Sequence, residues 1–84
     1  MGRPANAPDL TTLRGRIGAR IRKAREAKRW NQQQFAEALT ARGLSTTNSA
    51  VSFWESGDRM PSVDDLYTVA ATLGLSVRDL LPPR

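Results

Sequence analysis

Apolar positions recur along this chain at steps of three and four, the spacing of helices that each bury one face. Leu10, Leu13, Ile17, Ile21 and Ala24 form a narrow first stripe, which predicts a helix over about residues 10–28 capped by Asp9. Gly15 and Gly18 weaken its front by about 1 kcal/mol each relative to alanine, so the well-formed part is expected near Arg16 onward. Trp30 is expected to pack where the chain turns. A second helix should run from Gln32 to about Arg42, with Phe35, Ala36 and Leu39 on its apolar face. Asn31 can cap it, and Gln34 can reach back in a capping-box manner. Gly43 fits the left-handed stop, with Leu44 supplying the accompanying apolar contact.

Ser45, Thr46 and Thr47 are all available caps for a third helix, and residues 47–56 fit it best. Val51 and Trp54 fall on one side of it; Ser49, Ser52, Phe53 and Ser56 gather on the other. Gly57 ends it. Pro61 and Ser62, followed by Asp64 and Asp65, open a fourth helix with Val63, Leu66, Ala70 and Leu73 inward and a stop at Gly74. Residues 76–81 make a last short helix, ended by Pro82 and Pro83. The pattern is an all-α fold of five helices. It divides into a flexible basic arm over 1–9, a single domain over 10–81 and a short tail over 82–84.

Composition narrows the chemistry. The chain has 84 residues, with no cysteine and no histidine. Disulfides and thiolate metal sites are thereby excluded, and the commonest general base and metal ligand are missing. Asp64 and Asp65 stand at a helix start, where the helix dipole explains them, so no catalytic residue, metal, cofactor or small-molecule ligand is expected. No apolar run approaches the roughly 20 residues needed to span a bilayer. The first ten residues lack the apolar core of a signal peptide, so a cytoplasmic protein is expected.

Thirteen basic and eight acidic residues give a net charge of +5. The excess is uneven: residues 1–30 carry nine basic and two acidic residues, and the remainder four basic and six acidic. A concentrated positive field favours a polyanion, although these arginines surround the first helix instead of forming one stripe. Two short helices joined by a turn, the second with a small and mostly polar outer face, suggest a helix-turn-helix that presents its second helix to DNA.

Asn31-Gln-Gln-Gln-Phe-Ala, Ala50-Val-Ser-Phe-Trp-Glu-Ser-Gly57, Pro61 and Leu73-Gly-Leu-Ser-Val-Arg-Asp-Leu-Leu81, in that order, resemble the Cro/CI-type (XRE) helix-turn-helix family. The resemblance runs from about Ile17 to Leu81 and implies a lambda-repressor-like domain. It departs from the family at Thr40, where glycine is usual, and along residues 40–46, which exceed the usual tight turn. The resemblance implies base contacts from Asn48, Ser49 and Ser52, and phosphate contacts from Gln32, Thr47 and Arg59. It also implies a structural ion pair between Arg25 and Glu55. Phe53, on the same outer face, is a further candidate for base contact, and Asn31, at the start of the second helix, for phosphate. Phe53 keeps two readings: contact with a thymine methyl, or cover by the longer turn. Arg3 is a candidate for the minor groove, against the plainer reading of a tail with no role.

The function implied is a sequence-specific regulator of double-stranded DNA, a repressor acting as a homodimer on a palindromic operator. Leu80 or Leu81, with Tyr67, would supply the dimer contact. The alternative is a protein-interaction module of antitoxin or anti-regulator type on the same fold, for which Phe53 and the longer turn speak.

Overall fold

In the computed structural model, which describes residues 7–83, the described chain forms five α-helices and no strand. They are α1 (Leu13–Ala27), α2 (Gln32–Ala41), α3 (Asn48–Ser56), α4 (Val63–Thr72) and α5 (Val77–Leu80). The arm residues before Ala7, Arg3 among them, lie outside the described residues, as does Arg84.

Helix α1 begins later than its apolar stripe implies. Thr12, not Asp9, is the cap, its Oγ1 accepting from the Gly15 amide at 3.0 Å. Asp9 instead builds the turn before the helix: its Oδ1 accepts from the Thr11 amide at 3.0 Å and the Thr11 hydroxyl at 2.6 Å. That turn swings Leu10 and Leu13 outward, 59% and 46% exposed, so the stripe is buried only from Ile17 onward. The expected weakness at the two glycines is also corrected. The helix is regular from Leu13, and both glycines are sites of backbone contact. Gly18 lies against the Trp54 and Glu55 carbonyls, where a Cβ would stand 2.6 Å from the Glu55 oxygen and closer still to that of Trp54. Gly57, left-handed at φ 85°, packs on Gly15, and a Cβ there would come within 2.9 Å of the Gly15 Cα. Helices α1 and α3 therefore meet backbone to backbone.

The caps of the next helices follow the sequence closely. Asn31 Oδ1 accepts from the Gln34 amide at 2.7 Å and Gln34 Oε1 from the Asn31 amide at 2.8 Å, the reciprocal pair of a capping box. Gly43, at φ 96°, and Leu44, whose amide donates to the Leu39 carbonyl at 3.0 Å, close α2 as expected. Thr47 caps α3 by accepting from the Ala50 amide at 3.2 Å, and Ser62 caps α4 by accepting from that of Asp65 at 3.1 Å. Only four residues long, α5 is held by Ser76, which donates both its amide and its hydroxyl to Asp79 Oδ2.

The core gathers Ile21, Phe35, Leu39, Val51, Val69 and Leu80, all with no exposed surface, with Trp54 at its edge. Each such side chain contributes about 1.5–3 kcal/mol by leaving water. Trp30 stacks on Phe35 with ring centroids 6.0 Å apart, the turn-packing role expected of it. Two inward or outward assignments change, and one left open is decided. Val63 is 73% exposed, because the first turn of α4 projects beyond the core and Val69 takes the inward place. Ser56 is buried, its hydroxyl donating to the Phe53 carbonyl at 3.0 Å, because α3 ends under the loop that follows. Between the two candidate leucines, Leu80 is inside and Leu81 is 44% exposed. Pro82 is buried too, although it falls in the expected tail.

Candidate nucleic-acid interface

The site is built on a buried ion pair. Arg25 Nε donates to Glu55 Oε2 at 2.6 Å, and Nη2 donates to Oε1 at 3.0 Å, a two-pronged contact with side chains 9% and 2% exposed. The remaining prong, Nη1, donates to the Trp30 carbonyl at 2.7 Å. The hydrogen bonds and charge of Glu55 hold the Arg25 guanidinium above its already high ordinary pKa, outweighing its burial. Gln32 completes the group, its Nε2 donating to Glu55 Oε1 at 3.1 Å. Three helices thus converge on one carboxylate: α1 through Arg25, α2 through Gln32, and α3 through Glu55 itself.

This brace sets the outer face of α3. With Val51, Trp54 and Glu55 turned into the molecule, Asn48 and Ser49 are exposed, Ser52 is half-buried and Phe53 is 40% exposed. All four expected base-contacting residues lie outside the core on this helix. Asparagine can pair with an adenine edge in a bidentate way, and serine can donate or accept. Phe53 keeps part of its ring open to solvent, and the Arg59 guanidinium lies over that ring, 4.7 Å from the centroid, while the Arg59 amide donates to the Phe53 carbonyl at 3.2 Å. The contact orients a cation beside the outer face of α3. No signal in the sequence links these two residues, since the loop bend that joins them follows from Gly57.

The expected phosphate contacts each carry structural work as well. Asn31 and Thr47 spend one side-chain oxygen each on a cap, while the Asn31 side-chain Nδ2 and the Thr47 hydroxyl proton take no part in those caps. Gln32 spends its amide nitrogen on Glu55. Sequence reasoning passed over Arg14, whose Nη2 donates to the Asp58 carbonyl at 3.0 Å and holds the loop that carries Arg59.

The basic excess divides around α1. At about 100° per residue, Arg14, Arg22 and Arg25 lie within roughly 40° of Gly18, the point of contact with α3. Arg16, Arg20 and Lys23 lie roughly 140–160° away, on the opposite side. There Arg16 donates to the Leu10 carbonyl at 2.9 Å, and Arg20 donates to that of Asp79 at 3.2 Å. Part of the positive charge therefore faces away from α3. Among the described residues no group of carboxylates, cysteines and histidines could hold a metal ion, and no helix is long and apolar enough to cross a membrane.

Comparison with known proteins gives one family. A family model described as helix-turn-helix matches residues 21–80, which spans α2, α3, α4 and α5 and the last seven residues of α1. No curated protein and no solved structure matches the chain. The matched span contains the braced α2–α3 pair and its outward polar face, and the chain belongs to the Cro/CI-type (XRE) helix-turn-helix family of DNA-binding regulators.

Proposed function

We propose that this regulator is a repressor that binds a palindromic operator as a homodimer, reading each half-site with α3. The observation that carries the reading is the outward set Asn48, Ser49, Ser52 and Phe53 on a helix whose other side is fixed by the Arg25–Glu55 pair. A helix so held can lie in the major groove, with Asn31 and Gln32 at the start of α2 and Arg59 beyond α3 placed to meet the flanking phosphates. Val63 and Tyr67 lie one turn apart on α4 and are 73% and 64% exposed; with Leu81 they offer an apolar patch for a second copy. Two half-sites about one helical turn apart would then be read together, and occupancy of a promoter would block polymerase.

Selection of bound duplexes from a random pool, at two salt concentrations, tests this. The expected result is an inverted repeat with half-sites about ten base pairs apart. Asn48→Ala should then cost about 1–3 kcal/mol on the selected site and relax the preference at one base position. Arg59→Ala should weaken all sequences alike and lower the salt slope by about one. Motif-free binding that vanishes with salt would favour the protein-interaction module instead.

A further inference from the structure

We propose that the side of α1 turned away from α3 is a docking groove for an acidic, amphipathic helical peptide of a partner protein. Two adjoining hollows lie there, with volumes of about 240 and 530 Å³, and both are lined by Arg20 and Lys23. The first is closed by Leu10, Ala19 and Pro82, with Arg16 at its edge; the second by Ala24, Ala27 and Leu75. The floor is apolar and the rim is cationic. The one carboxylate in the lining, Asp79, is held by the amide and hydroxyl of Ser76. Those bonds keep it below the ordinary carboxylate range, so it stays ionised and occupied with its own helix start.

Charge complementarity selects an acidic partner, and the apolar floor selects among acidic partners. A phosphate backbone would satisfy Arg16, Arg20 and Lys23 but leave Leu10, Ala27 and Leu75 exposed to water. A helix with apolar residues at i, i+3 or i+4, and i+7, and carboxylates beside them, covers both features. From Arg16 to Ala27 the groove spans roughly 16 Å of α1, which matches about three turns of such a helix. The groove lies on the far side of α1 from α3, so an occupant would leave the outer face of α3 open. The inference does not rest on the operator reading.

A fluorescein-labelled synthetic helix, with leucines at that spacing and glutamates between them, serves as probe. Its anisotropy is followed with the full chain and with Lys23→Glu, a substitution that leaves the Arg20 and Arg16 hydrogen bonds in place. The expected result is binding to the full chain, weakened about tenfold or more by Lys23→Glu and by replacing the probe's leucines with serines, with circular dichroism and melting unchanged. Binding of duplex DNA, measured in parallel, should change less than about threefold, as expected for a charge remote from the reading face. The proposal is overturned if the probe does not bind, or if the serine probe binds as well as the leucine probe, since charge alone would then explain attraction. It is overturned equally if phosphatidylglycerol vesicles displace the probe in a Lys23-dependent way, or if Lys23→Glu abolishes DNA binding, for the face would then belong to lipid or to nucleic acid.

Discussion

Gly18 has two opposed effects on stability. As a helix residue it costs about 1 kcal/mol relative to alanine. As a contact residue it lets α1 approach the Trp54 and Glu55 carbonyls more closely than any Cβ allows. Backbone carbonyls cannot rotate aside, so the contact wins, and Gly18→Ala should lower stability by about 2 kcal/mol or more in denaturant unfolding. Arg29 presents the reverse case. It is the sole described non-glycine residue at positive φ, 60°, and sits where the end of α1 turns back, its amide donating to the Glu26 carbonyl. Three other helix ends of this chain use glycine in a left-handed conformation, at Gly43, Gly57 and Gly74. Arg29→Gly should relieve the left-handed strain and gain roughly 0.5–1 kcal/mol net of chain entropy, read as a raised melting temperature. The sequence announced the glycine stops because each depends on neighbours a few positions away. It concealed the role of Gly18 because the carbonyls that require it belong to another helix.

Among the helices, the start and end of α2 and α3 were legible for the same local reason: Asn31 and Gln34, Thr47, and Gly43 with Leu44 meet within one turn. Errors fell where a neighbouring turn competes for a helix start or where an element must reach a distant core. Leu10 and Leu13 keep helical spacing, yet the Asp9 turn carries them out of the core; Val63 keeps it too, yet α4 has not reached the core at its first turn. Glu55 shows how tertiary context settles a polar residue within a short helix. Its carboxylate accepts from Arg25 twice and from Gln32 once, partners that stand on two other helices. Arg25→Met should cost about 3–5 kcal/mol, because it strands a buried carboxylate, whereas Arg25→Met combined with Glu55→Leu should recover much of that loss. Chemical unfolding of the three variants measures both terms.

For the molecule as a whole, the family, the helix order and the spread of arginines around the first helix were readable from the sequence, while what each side of that helix meets was not. Arginines that count together in a sequence stand on opposite sides of α1, and only the fold separates those near α3 from those beside α5. Val63, Tyr67 and Leu81 are exposed apolar side chains outside α1. If they join two copies, Tyr67→Glu should yield monomers in sedimentation and weaken operator binding at least about tenfold, through loss of the linked second half-site. The outer and inner positions of α3 have a further consequence for how such a protein changes over generations. Val51, Trp54 and Glu55 are buried and carry the folding of that helix, while Asn48 and Ser49 stay exposed. If α3 reads the half-site as proposed, substitutions at these two outward positions rewrite the DNA word with little penalty in foldedness, and drift in specificity is open to single steps there. Phe53 is different: with the Arg59 guanidinium resting on its ring, a change at either residue alters what the other presents, so on that reading the letter is inherited as a pair.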